Sequence, residues 1–182
     1  MGDLNVAIGR VALLATSGYS LSQCMDLKYV RVAFALYAVD GALGILDYGL
    51  PKSNAKVKKA LAFVDRVSKP CYTPLVAAEA ILFAGFEEKF SYCHLVFPIA
   101  YVVLTEVLKK NVPQDLVDLS AICNSISVGF SAYKKDDILY GGLTGVFNIA
   151  AFLGCKFNSM EFFLVLSGAN LLALQFFKQS LI

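Results

Sequence analysis

Long apolar stretches, separated by short polar ones, run through the whole chain. A helix rises about 1.5 Å per residue, so roughly 20 apolar residues cross a hydrocarbon core about 30 Å thick. Seven stretches approach that length and predict membrane-spanning helices. Their predicted bounds are 4–22, 29–50, 71–86, 92–108, 116–132, 138–155 and 161–177. The pattern therefore predicts an all-α polytopic membrane helix bundle, with residues 1–182 forming a single transmembrane domain.

The segment between the second and third apolar stretches has a different pattern. Over residues 53–68, apolar side chains such as Leu61 and Val64 recur at helical spacing, and most other positions are polar or basic. This is typical of an amphipathic helix in the membrane interface, although a solvated connector helix is the alternative. Pro51 and Pro70 are expected to end the preceding helix and the segment itself. We expect contact with anionic lipid through Lys56, Lys58, Lys59 and Arg66.

Composition supports the membrane class. The 182 residues are 58% hydrophobic and only 16% charged, whereas soluble domains have about 25% charged residues. A net charge of +2 gives no reason to expect a nucleic-acid partner. The five cysteines form no C-x-x-C pair, so we predict neither a metal site nor a cofactor. We interpret them as packing residues, with a Cys24–Cys93 disulfide as an alternative.

The distribution of basic residues predicts the orientation. With seven spans, nine Lys and Arg residues fall on the N-terminal face and six on the other, which favours an N-terminus inside. The N-terminal residues lack a basic leader with a cleavage site and are interpreted as the start of the first helix. Several spans are shorter than the usual length, which favours a thin internal membrane, the endoplasmic reticulum or the mitochondrial inner membrane.

Three ionisable residues interrupt the predicted spans and form the candidate site. Asp40 lies at the middle of the second span, Arg10 in the first and Glu79 in the third. A charged group at that depth costs at least about 2.5 kcal/mol, so such groups usually find a partner. An Arg fork can bridge two carboxylates. Because the predicted depths from the N-terminal face are about 9, 15 and 12 Å for Arg10, Asp40 and Glu79, we expect the three to meet.

Uncharged polar side chains extend this predicted interior. Three asparagines are predicted to lie near mid-membrane: Asn124, Asn148 and Asn170. One predicted helix face is polar and comprises Ser120, Asn124, Ser127 and Ser131. The alternative is that such groups only hold helices together, at about 0.6 kcal/mol per contact. Gly141 and Gly145 predict a close helix contact. His94 is interpreted as a packing or interfacial residue.

The candidate site favours a proton- or cation-coupled transporter or channel. Asp40 and Glu79 would bind the ion, Arg10 would tune them, and Asn124, Asn148 and Asn170 would line the path. Seven helices in a three-one-three order suit paired bundles in small carriers. A non-catalytic structural or assembly subunit of a larger complex is the main alternative, and a membrane lipid-active enzyme is a further one. No catalytic motif is present, so we lean against an enzyme, and expected partners are the bilayer, other proteins or further copies of the chain.

Overall fold

The described part of the chain folds into seven helices. The computed structural model describes residues 4–50 and 54–178; 84% of the chain is helical and the described part contains no strand. The predicted residues Pro51 and Ser53 lie outside the described ranges. The helices are α1 (Leu4–Gln23), α2 (Val30–Tyr48), α3 (Ala55–Phe83), α4 (Glu88–Val102, continued by a π-helical turn at Val103–Val107), α5 (Gln114–Lys134), α6 (Leu143–Ile149, flanked by π-helical turns Ile138–Gly142 and Ala150–Gly154) and α7 (Met160–Lys178). The all-α prediction is confirmed.

The largest departure from prediction is α3. The predicted amphipathic helix over 53–68 and the predicted third span over 71–86 form one helix of 29 residues that passes through Pro70 and Pro74. The prediction that Pro70 ends the first segment is therefore wrong. A proline inside a helix costs about 3 kcal/mol, and here the nearly continuous burial of residues 72–81 favours the unbroken helix. Both prolines lie on the buried side.

Six of the helices close a ring. α1 packs against α2 and α7, α2 against α3, α3 against α5, and α6 against both α5 and α7. α4 lies on the outside of this ring and packs chiefly against α3. In the first half of the chain α1 packs against α2 and α2 against α3. In the second half α5 packs against α6 and α6 against α7, so the order of contacts is the same.

Small residues permit the closest helix contacts. A Cβ atom on Gly145 would lie 2.9 Å from the carbonyl oxygen of Ser125, and one on Gly141 would lie 2.4 Å from the Cβ of Ala132. The predicted close-packing face of α6 is therefore confirmed. Between α1 and α2, a Cβ on Gly41 would lie 2.9 Å from the backbone of Arg10. Small residues at such contacts are typical of membrane helix pairs.

Many large apolar side chains are exposed on the bundle, while several polar and charged ones are buried beside its apolar core. Exposed positions include Val11, Val39, Val96, Ile126 and Val146. Buried positions include Arg10, Asp40, Glu79, Asn148 and Asn170. Three described helices, Glu88–Val107, Gln114–Lys134 and Met160–Lys178, are long and apolar enough to cross a membrane.

The start of α4 is fixed to the connection between α1 and α2. Lys28 forms an ion pair with Glu88, and the hydroxyl of Tyr29 donates to the same carboxylate. The hydrogen bond to Glu88 raises the pKa of Lys28.

The five cysteines are free thiols, with Cys24 buried and Cys93 exposed, so the alternative disulfide is not formed.

Candidate functional site

Arg10 lies at the centre of a buried ionic site. Its Nη1 donates to Oδ1 of Asp40 at 2.7 Å and to the Asp40 carbonyl oxygen at 3.0 Å. Its Nη2 donates to Oδ1 of Asp65 at 3.1 Å and to Oδ1 of Asn158 at 2.7 Å. We call Arg10, Asp40, Asp65 and Asn158 the Arg10 cluster. It joins α1, α2, α3 and the connection before α7.

Aromatic rings and a glycine enclose the guanidinium. The Cζ atom of Arg10 lies 4.4 Å from the ring centroid of Phe163 and 5.5 Å from that of Tyr48. A cation over an aromatic face is attracted to it, by about 2 kcal/mol where water is excluded. A Cβ atom on Gly44 would lie 1.8 Å from Cδ of Arg10, so only glycine leaves room for this side chain. Residues of α2 and α7 therefore fix the position of this α1 side chain.

The Arg10 cluster contains more negative than positive charge. One guanidinium serves two carboxyl groups, which gives one formal negative charge in excess if both are ionised. Asp40 accepts from one terminal nitrogen of the guanidinium and Asp65 from the other. The side chain of Asp40 is 3% exposed and that of Asp65 15%. Asp65 is therefore the more accessible of the two.

Asp65 and Asn158 are the site residues that the sequence analysis missed. Asp65 follows Leu61 by four residues and precedes Ser68 by three, so it lies on the buried stripe of α3. That position was a usable signal, because an acid on the apolar face of a basic helix needs a partner. Asn158 lies in a short connection with a backbone φ of 61°. Nothing in its local sequence indicates a contact with Arg10.

Glu79 does not meet Arg10 and instead caps α2. Its Oε2 accepts from the backbone N–H groups of Tyr29 at 2.5 Å and Val30 at 3.2 Å. The expected triad of Arg10, Asp40 and Glu79 is therefore not formed. Because α3 is continuous, Glu79 lies about 21 Å further along it than Asp65, at the opposite end of the bundle. A carboxylate at a helix N-terminus satisfies unpaired N–H groups and interacts favourably with the helix dipole.

We therefore expect Glu79→Ala to act on stability. Losing a cap costs typically 0.5–2 kcal/mol, so the free energy of unfolding should fall by about 1–2 kcal/mol. Denaturant unfolding in detergent, followed by circular dichroism, measures this. Glu87→Ala is the matched control, because that side chain is 71% exposed and, although Glu87 precedes α4, it makes no side-chain cap hydrogen bond. Equal effects of the two substitutions would contradict the assigned cap.

Asn170 connects three helices at a second polar centre. Its Oδ1 accepts from the Tyr72 hydroxyl at 2.6 Å, and its Nδ2 donates to Oγ of Ser17 at 2.8 Å. The ring of Tyr72 lies 4.7 Å from that of Tyr37. Asn170 is fully buried and its side chain is paired at both ends. This arrangement holds α1, α3 and α7 in register and leaves the predicted ion-binding role of Asn170 a prediction.

Asn124 and Asn148 have different surroundings. Oδ1 of Asn124 lies 2.6 Å from Nδ1 of His94, so His94 bonds across to α5. Among the described residues, neither Nδ2 nor Oδ1 of the buried Asn148 has a partner.

The buried face of α5 differs from the predicted serine face. Ser131 is buried with Asn124, whereas the hydroxyl of Ser127 donates to the carbonyl oxygen of Cys123 in the same helix. The true buried face is Val117, Ala121, Asn124, Ser125, Val128, Ser131 and Ala132.

Comparisons with known proteins do not extend this picture. No protein-family model matches the chain, and neither the curated proteins nor the solved structures include a significant match. The described features define the class: an all-helical protein with three helices able to cross a membrane and an ionic cluster around a buried arginine.

Proposed function

We propose that this chain is a proton- or cation-coupled membrane transporter or channel, with the Arg10 cluster as its ion site. The observation that carries the proposal is that one buried guanidinium serves two carboxyl groups, the buried Asp40 and the partly exposed Asp65. A proton or a small cation would neutralise the excess negative charge. Ionisable groups buried in membrane proteins commonly mark such pathways. Asp65 would exchange the ion with water, and Asp40 would hold it inside the bundle.

The proposed membrane arrangement has seven spans. Exposed apolar side chains on α1, α2 and α6 support it, in addition to the three long apolar helices. The repeated order of contacts before and after α4 supports a three-one-three arrangement of the kind used in small carriers. The first turns of α3 would project beyond the bilayer, since its 29 residues extend about 44 Å. We place the N-terminus inside and the protein in an internal membrane.

Flux in proteoliposomes with a pH-sensitive dye tests the proposal. We expect the unsubstituted chain to dissipate an imposed proton or cation gradient. Asp65→Asn and Asp40→Asn should reduce the flux by at least tenfold, because an amide carries no charge and does not take up and release a proton. Glu79→Gln is the matched control, since it neutralises a buried acid outside the cluster and keeps the acceptor for the cap. Its flux should stay near that of the unsubstituted chain.

Two results would contradict the transport proposal. One is the absence of flux from the unsubstituted chain under every gradient tested. The other is full flux in Asp65→Asn and Asp40→Asn at matched reconstitution and matched folding. A loss of folded protein in these variants would be detected by size-exclusion chromatography before reconstitution.

A second candidate function is a structural or assembly subunit of a larger complex. The observation that favours it is the exposure of α4, of whose spanning segment only 11% is buried in the chain. A partner could cover that surface, while the Arg10 cluster fixes the helix register, a role that buried ion pairs have in some proteins. In this case Asp40→Asn would reduce co-purification with other membrane proteins, and no gradient would produce flux.

A further inference from the structure

A basic cleft opens where α4 meets the start of α5. It has a volume of about 350 Å³ and is lined by residues of α3, α4 and the connection to α5. We define it by Arg66, Tyr101, Thr105, Lys109, Lys110 and Asn111. The helices on either side, Glu88–Val107 and Gln114–Lys134, are both able to cross a membrane. Their connection, residues 108–113, would then lie at the depth of the lipid headgroups.

The charge of the basic cleft is unbalanced. Glu106 also lines the cleft. Its carboxylate accepts from Nε of Arg66 at 2.9 Å and lies 3.8 Å from Nζ of Lys109. No described carboxylate pairs with Lys110. Three cations around one carboxylate leave an excess of two formal positive charges. Such an excess beside a polar rim suits a phosphate-bearing ligand.

A second, mostly apolar cleft lies further along α4 than the basic cleft. The ring of Tyr101 lies 6.2 Å from that of Phe97. Phe97 lines a second cleft of about 320 Å³ between α4 and α5, together with Leu116 and Leu119. The two openings therefore follow one another from the charged end of α4 towards its middle. A charged end followed by an apolar slot matches the shape and polarity of a phospholipid.

We propose that an anionic phospholipid binds along α4. Its phosphate lies in the basic cleft, at Arg66, Lys109 and Lys110, and an acyl chain lies in the apolar cleft beside Phe97. This site shares Arg66 with the lipid contact predicted from the sequence. It differs from that contact at Lys56, Lys58 and Lys59, which lie on the exposed first turns of α3. It rests on the proposed membrane arrangement but uses no residue of the Arg10 cluster, although Asn124 also lines the second cleft.

Quenching of a single tryptophan by brominated lipid tests the site. The chain contains no Trp, so Phe97→Trp supplies one reporter in the apolar cleft. We expect phosphatidylglycerol with brominated acyl chains to quench it at lower concentration than brominated phosphatidylcholine. A basic side chain at an anionic lipid surface gives roughly a fivefold gain in affinity. Adding Lys109→Gln and Lys110→Gln should therefore lower the apparent affinity for phosphatidylglycerol about 25-fold.

Two controls separate this site from general attraction to an anionic surface. Lys58→Gln with Lys59→Gln removes the same charge and should leave the quenching unchanged. A reporter at Ile126→Trp, an exposed position on α5, should show no preference between the two lipids. Native mass spectrometry of the unsubstituted chain with phosphatidylglycerol gives a second measurement, in which we expect one retained lipid that the Lys109 and Lys110 substitutions remove.

Three outcomes would overturn the proposal. The first is equal quenching by the two lipids in the Phe97→Trp chain. The second is an equal loss in the two double-lysine variants, which would indicate a diffuse surface effect. The third is displacement of the brominated lipid by soluble glycerophosphoglycerol at micromolar concentration, which would indicate a site for a soluble phosphate ester.

Discussion

Arg10→Gln is expected to lower the free energy of unfolding by about 3–5 kcal/mol, the usual cost of removing one partner from a buried ion pair. Both terminal nitrogens of Arg10 are paired, and its side chain is fully buried. Glutamine is too short to replace these bonds and carries no charge. Asp40 and Asp65 would then remain side by side without a cation. Denaturant unfolding in detergent measures the effect.

The expected cause can be separated from a loss of packing. If the uncompensated carboxylates are responsible, adding Asp40→Asn to Arg10→Gln should recover part of the loss, with a coupling energy of roughly 1–3 kcal/mol. Arg31→Gln is the matched control, because Arg31 is exposed and contributes one bond to the carbonyl of Met25. We expect that control to change stability by less than about 0.5 kcal/mol. Equal losses at the two arginines would contradict the assigned role of Arg10.

The pairing of Arg10 with Asp40 was predictable from the sequence. Two opposite charges interrupt consecutive apolar stretches, and a short connection makes the two helices antiparallel, so their depths can be compared by counting residues. The contact of Nη1 with Asp40 agrees with that estimate. The depth estimate failed for Glu79 because it began the third helix at residue 71. Once α3 begins at Ala55, the residue at the level of Arg10 is Asp65.

The error at Pro70 has a physical cause that local sequence does not reveal. Proline is costly inside a helix, and a short basic segment before it is typical of an interfacial helix. Whether burial offsets that cost depends on which helices pack against α3. α2, α4 and α5 all do so, and two of these follow it in the chain. Contacts between distant helices, including the closure of α1 on α7, are absent from a hydropathy pattern.

The polar residues of the interior were predicted better as a group than as individuals. Asn124, Asn148 and Asn170 are all buried, as expected of polar groups on amphipathic or spanning helices. Their partners, however, depend on helix rotation. Asn170 bonds to Ser17 and Tyr72, whereas Asn124 bonds to His94. A rotation of one helix by a single residue position, about 100°, would break these contacts. No feature of the sequence specifies the rotation of a helix that closely.

Gly44→Ala is expected to destabilise the protein although alanine favours helix. In an exposed helix interior this change stabilises by up to about 1 kcal/mol. Here the added Cβ would lie 1.8 Å from Cδ and 2.4 Å from Nε of Arg10, so the arginine or α2 must move. Overpacking a core costs typically 1–3 kcal/mol. We expect a loss at the upper end of that range, because moving Arg10 also weakens its bonds to Asp40 and Asp65.

Gly18→Ala provides the control with the opposite sign. Gly18 also lies inside a helix, α1, but a Cβ there would meet no atom within 4 Å. It should therefore leave stability unchanged or raise it by up to about 1 kcal/mol. The two variants make the same chemical change, so the difference between their free energies of unfolding measures the space beside Arg10. If Gly44→Ala were as stable as Gly18→Ala, Arg10 would not lie against α2 as described, and the ion site proposed around it would lose its geometric basis.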